Sequence, residues 1–268
     1  MPNNRKVGLA LLLILTLGSG PQARSQTQDL TALLDRTGKQ VEAFLDRVSD
    51  VKCTEQVTQE KLNGKGRAEY AEQGTYDYLV LLSGGSDELQ LNESRLAAAQ
   101  RAQARNVSLL VSNGFSMLFL IFHPYYRSSF RFEAVPEDLA SQPQRFFRVR
   151  FSHVEGARTP AALAVRGREF PLDLAGTAWI DASTGMVARI EASLQRDMHD
   201  VGLRSLSVLC DYEPIPLPGW KQVYWFPVEV NVEVETLRQH WRNVHRFSHY
   251  KRFMVDTQES VSADIGKK

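Results

Sequence analysis

Three groups of residues carry side chains able to do chemistry: the histidines His240, His245 and His249, the run Arg196-Asp197-Met198-His199-Asp200, and the cysteines Cys53 and Cys210. A zinc-type centre needs three or four converging ligands. On a strand, His245 and His249 would share a face but stand about 13 Å apart, too far to hold one ion. On a helix they would sit one turn apart, yet the residues around them alternate as a strand does, and no HExxH is present. No metal site is expected. Asp197, His199 and Asp200 are of the types that transfer protons, but they fall where the strand pattern breaks, which predicts a solvated loop. No GxSxG elbow exists, and Gly114-Phe115-Ser116 does not supply one. No catalytic residue is assigned, and no cofactor: Gly64 and Gly66 belong to a turn without the strand-loop-helix context of a phosphate cradle. A hydrolase assembled from loops would have His199 and Asp200 as its candidates.

The cysteines depend on where the chain resides. Residues 1–25 read as a secretory signal peptide: Arg5 and Lys6, then an apolar run of eleven residues from Val7 to Leu17, then Ala23-Arg24-Ser25 before a cut at Gln26. Eleven apolar residues are too few to span a bilayer, which takes about 20. The expected product is exported, periplasmic or secreted, and is not an integral membrane protein once the leader is removed. In an oxidising compartment Cys53 and Cys210 could form a disulfide. It would close a loop of more than 150 residues, contributing about 4–5 kcal/mol in the chain-entropy view. The alternative is two separate buried thiols packing as small apolar groups; the disulfide is the adopted expectation.

Composition narrows the partners. The 268 residues are 43% hydrophobic and 24% charged, a globular balance with a formal net charge of +1. Without Arg5, Lys6 and Arg24 the remainder holds 29 basic against 31 acidic residues. That balance gives no electrostatic reason to expect nucleic acid. The basic stretch from Arg238 to Lys251, interleaved with Trp241, Phe247 and Tyr250, is expected on the wet face of a strand.

The elements that must position these residues are mostly strands. One helix comes first: Leu30, Leu33, Leu34, Val41, Phe44, Leu45 and Val48 recur at helical spacing and form one apolar stripe. A lone amphipathic helix needs a sheet to cover. Val51 to Leu62, the turn Asn63-Gly64-Lys65-Gly66, and the run through Tyr70, Tyr76, Tyr78 and Val80 predict a long hairpin. Ser94 to Arg105 suits a helix or solvated loop. Gly114 to Phe122 predicts a short buried helix closed off by Pro124. Alternation then returns. Phe147, Val149 and Phe151 oppose Arg148 and Arg150; Leu206, Val208, Cys210 and Tyr212 share a face; Val228, Val230, Val232 and Val234 alternate with polar partners. His245, Phe247, His249 and Phe253 alternate with Arg246, Ser248, Tyr250 and Arg252. One-sided alternation marks antiparallel strands wet on one face, and too few helices intervene for a parallel sheet.

The most legible hairpin is Gly176 to Leu194. Asp181 and Thr184 can bond turn backbone, and Gly185 tolerates positive φ; Asp181 is thus expected as a turn former rather than a catalytic acid. Trp179 and Ile180 project to opposite faces, with Trp179 as core or as a wall of a concavity. Trp179, Ile180, Asp181, Thr184, Gly185, Val187, Arg189 and Ile190 form a pattern that resembles the periplasmic lipoprotein-carrier superfamily. That group includes outer-membrane lipoprotein carrier and receptor proteins, lipid-sensing regulators of envelope stress, and exported bacterial proteins of unknown function sharing their half-barrel. The resemblance implies a mainly β (α+β) fold: a strongly curved antiparallel sheet, or half-barrel, covered by the N-terminal helix and one or two short helices. It implies a single carrier-like domain over 26–257, with a polar tail at 258–268. It also implies a non-enzymatic binding protein that holds a lipid, an acyl chain or a lipidated protein in an apolar concavity. Phe147, Val149, Phe151, Trp179, Val230, Val232 and Phe247 are the expected lining. The alternatives are an envelope protein-interaction or sensor module without lipid, and the loop-based hydrolase above.

Overall fold

The computed structural model describes residues 21–83, 89–97, 112–135, 145–165 and 168–252. Most of the expected leader and all of the expected tail lie outside the described residues. Helix α1 spans Pro21–Val48 and thus begins ahead of the expected cut. The predicted stripe is its buried side: Leu33, Leu34, Val41, Phe44, Leu45 and Val48 are all buried. Among the described residues no helix is long and apolar enough to cross a membrane.

Strands β1 (Val51–Leu62) and β2 (Ala68–Ser83) form the predicted long hairpin. Its turn is built by Asn63, whose side-chain oxygen accepts from the N–H groups of Lys65 and Arg67. β3 (Gln90–Ala97) pairs with β2. Ser94 to Ala97 is therefore strand rather than helix or loop, because the pairing satisfies its backbone; residues 98–111 lie outside the described residues.

β4 (Ser112–Asn113) leads into two short 3-10 turns kinked at Met117 (φ −110°, ψ 24°), Phe115–Phe122, together called the inner helix. Pro124 closes it as expected: His123 is extended (φ −62°, ψ 138°) and Pro124 opens the short α2 (Pro124–Arg127). Then follow β5 (Phe130–Ala134), β6 (Phe146–His153), β7 (Ala162–Val165), β8 (Arg168–Pro171), β9 (Leu174–Asp181) and β10 (Val187–Leu194). The chain continues with β11 (Leu203–Ile215), β12 (Tyr224–Thr236) and β13 (His240–Arg252).

One ten-stranded sheet takes all but three strands, in the order β3-β2-β1-β13-β12-β11-β10-β9-β6-β5. Its pairings are antiparallel, and it is curved but not closed into a barrel. β4, β7 and β8 form a small second sheet. The alternation read from the sequence sorts the faces. Val149, Phe151, Ile190, Val208, Cys210, Val230, Val232 and Val234 point inward and are buried, while Arg150, Arg189, Glu191 and Ser207 point out. α1 and the inner helix lie on the inner face. The inner helix touches β10, β11 and β12, so the core sits between those strands and the two helices.

Two irregularities re-aim side chains. Pro227 sits at a register break between β11 and β12, where a ladder bond is already missing. One strand pair away, β1 and β13 slip register between Lys52 and Thr54, opposite His249, whose φ is 55°. This bulge corrects the expected alternation. His249 is exposed, and Tyr250 turns inward to pack on Phe226 at 4.7 Å between ring centroids.

Candidate functional site

The expected lining residues separate into three groups. Val149, Phe151, Val230, Val232 and Phe247 are buried in one core cluster on the inner face, and Phe147 is half-buried against it. Trp179 is not with them. It lies half-buried on the outer face, paired in register with Arg148 and Arg189, because its neighbours Ala178 and Ile180 take the inward positions. The concave side is filled. All eight residues of the inner helix are buried, Leu118, Leu120 and Phe122 completely. An apolar crevice between Phe44, Tyr78, Met117 and Phe226 has a volume of about 20 Å³, on the scale of one water. A similar crevice of about 20 Å³ lies between Val41, Phe119 and Trp225. The roomier hollow, about 500 Å³, is on the outer face over β9 to β13, lined by polar residues including Thr177, Glu191, Asn231 and Arg242.

The disulfide expectation is corrected. Cys53 and Cys210 are both free and buried. They sit on β1 and β11 with β13 and β12 between them, a lateral offset of about 14 Å, twice what a disulfide spans. Burial pushes the Cys53 thiol up to about 12 and that of Cys210 higher still. The Cys210 thiol donates to the Phe115 carbonyl at 3.1 Å, which fixes the start of the inner helix.

Asp181 is the turn former that its position predicts. Its carboxylate accepts from the backbone N–H groups of Ser183 (3.0 Å) and Thr184 (2.9 Å), and Gly185 takes φ 77°. Burial would raise its pKa, but hydrogen bonds from Ser183, Thr184 and Arg145 outweigh that and hold it at about 2. His199 and Asp197 pair at 2.7 Å on an exposed loop. Among the described residues no group of three or more His, Cys, Asp or Glu side chains could hold a metal ion.

A different constellation stands out, at the β1-β2-β3-β13 end of the inner face. Glu55 is fully buried. His245 Nδ1 lies 2.8 Å from Glu55 Oε1, and Arg95 donates to the same carboxylate through Nε (2.7 Å) and Nη2 (3.1 Å). Arg95 Nη2 also pairs with Glu93 Oε2 at 2.9 Å. Glu93 in turn holds the inner helix: its Oε1 accepts from Gly114 N (3.1 Å) and Ser116 Oγ (3.0 Å). Ser116 has one proton and gives it to Glu93, so Tyr78 O–H donates to Ser116 Oγ at 2.7 Å. Gly114 cannot carry a side chain here. Its φ is 86°, and a Cβ would lie 2.6 Å from the Pro160 carbonyl.

The electrostatics follow from burial. Desolvation alone would raise the Glu55 carboxyl, but bonds from His245 and Arg95 and their charge hold it below its ordinary 4.5. Burial and the Glu93 charge push Tyr78 well above its ordinary 10.0, so it stays a neutral donor. The buried atoms of this region without a hydrogen-bond partner include His245 Nε2 and, four residues along β1 from Glu55, Gln59 Nε2. The arrangement has two carboxylates, one guanidinium and one imidazole, with the Ser116 hydroxyl on one of the carboxylates. Chemically it can hold a polar group.

Reading for chemistry missed Glu55, Arg95, Glu93 and Gln59, yet a signal was present. On β1, Glu55 and Gln59 share parity with Val51, Cys53 and Val57, which puts both on the apolar side. His245 shares parity with Phe247 in the same way.

No family model matches the chain, and no curated protein matches it. Solved structures similar in backbone include the following two. One is a DUF1329 family protein from Desulfovibrio piger, at 12% identity and a TM-score of 0.40, covering 90% of this chain and 95% of that one. The other is a putative outer membrane lipoprotein-sorting protein domain from Vibrio parahaemolyticus, at 10% identity and a TM-score of 0.36, covering 88% of this chain and 95% of that one.

Proposed function

We propose that this is a non-enzymatic, exported binding protein that holds an acyl chain or the acyl group of a lipidated protein on the inner face of the sheet. On this reading the inner helix occupies the ligand's place in the unliganded state. The supporting observation is the nature of the filling. Eight consecutive residues, almost all apolar, are buried against β10 to β12 without being a strand of that sheet. Met117 (φ −110°, ψ 24°) breaks the segment into two short 3-10 turns, so packing rather than a continuous helical ladder holds it in place.

Magnitudes decide how uptake would work. Each buried methylene contributes about 0.8 kcal/mol, so a sixteen-carbon chain gains about 12 kcal/mol. Three Phe, two Leu, one Ile and one Met in the inner helix give up a similar gross amount if exposed, at roughly 1.5–3 kcal/mol each. Exchange is therefore near balance. A chain binds usefully when it inserts beside the inner helix, or when the displaced segment is buried elsewhere.

The test is native mass spectrometry of protein purified from an envelope fraction, with titration by N-phenyl-1-naphthylamine, a neutral apolar dye. Co-purified amphiphile, or dye fluorescence that saturates at one equivalent, is expected. Apo protein with no dye uptake would remove this reading. It would leave the interaction-module alternative, for which the outer hollow of about 500 Å³ is the available surface.

A further inference from the structure

We infer that the ligand, on the binding reading above, is an amphiphile whose head donates hydrogen bonds and carries no negative charge, and that the Glu93–Arg95–Glu55–His245 cluster is its head-group site. The inner helix supplies the template. Where it meets the cluster it presents an N–H (Gly114) and an O–H (Ser116), both to Glu93 Oε1. A ligand that takes the helix's place must replace two donors, or it leaves a buried carboxylate oxygen bare.

One atom of the cluster without a partner extends the same pattern. Glu55 accepts from His245 Nδ1, so in the neutral ring Nε2 is an acceptor, and it is unpartnered. It too calls for a donor. The charges agree: two carboxylates face one guanidinium and one imidazole, with side-chain exposures of 0% for Glu55, 2% for Glu93 and 21% for Arg95. A carboxylate or phosphate head would add a third negative charge where little water can screen it. A primary amide, an alcohol or an amine would not.

The experiment uses the full chain at pH 8 and displaces N-phenyl-1-naphthylamine with matched twelve-carbon ligands: dodecanamide, dodecan-1-ol, dodecylamine, dodecanoate and dodecyl phosphate. The three donor heads are expected to bind about tenfold or more tighter than the two anions, the scale of one charged hydrogen bond gained or lost. Glu93→Gln should shrink that ratio severalfold. Equal affinities for all five heads in the wild-type chain, or a preference for the anions, would overturn the head-group assignment while leaving chain binding intact. Failure of the dye itself to bind would sink chain binding and this assignment together.

Discussion

The two ends of the inner face are built by the same rule and filled with opposite chemistry. Over β9 to β12 the inward positions are Ala178, Ile180, Ile190, Val208, Val230 and Val232, and the inner helix packs on them with carbon. Over β1, β2, β3 and β13 the inward positions include Glu55, Gln59, Arg95 and His245, and the contacts are ionic. Apolar burial is non-directional and stabilises any sequence of about the right volume. Buried ions cost desolvation, and apolar replacements of the same shape often stabilise as well or better. The apolar end is thus explained by folding alone. The polar end is not, and that contrast is why the functional argument rests there.

The contrast predicts different responses to mutation. Glu55→Ala strips Arg95 and His245 of their shared partner and should cost about 3–5 kcal/mol. Urea unfolding of the quadruple variant Glu55→Leu, Glu93→Gln, Arg95→Met, His245→Phe should recover most of that loss. If it recovers nothing, the polar end is structural after all. Phe122→Ala at the other end should also cost about 3–5 kcal/mol, with no replacement elsewhere that rescues it.

Asp181→Ala removes the acceptor of the β9–β10 turn and should cost about 1–3 kcal/mol. Acid should act on both regions. Glu55 and Asp181 have folded pKa values below their ordinary 4.5 and 3.8. The stability they contribute is therefore full above those ordinary values and is lost as pH falls through the folded ones, about 2 for Asp181. The urea midpoint should fall from near pH 4.5 downward, less steeply in Glu55→Gln. Smallest of all, Arg246→Ala breaks an exposed pair with Glu229 and should change stability by less than about 0.5 kcal/mol. Separately, neither cysteine should react with Ellman's reagent in the native protein, and both should do so in urea, because Cys53 and Cys210 are buried and their thiols pushed up.

What the sequence disclosed followed from strong local rules. Asn63 and Asp181 mark their turns because a short side-chain acceptor replaces a backbone one. Alternation located β1, β6 and β10 to β13 because one face of each is wet. Longer-range features were hidden. The bulge at His249 depends on how β13 meets β1, and parity counting carried past it. Cys53 and Cys210 share no strand neighbour, which only the strand order reveals. Trp179 faces outward although its size suggests core. Glu55 was visible by parity, but its partners come from β3 and β13, and no local pattern joins them.

The pairing of β1 with β13 also sets an order of assembly. Glu55 and His245 stand 190 residues apart in the chain, and β13 joins β12 only after every other strand has been made. Contacts so distant form slowly, since the intervening chain must close first. Until then Glu55 has Arg95 to pair with but lacks its imidazole partner. A polypeptide ending before His240 would leave β1 to β3 on one side and β12 to β5 on the other with no strand to join them.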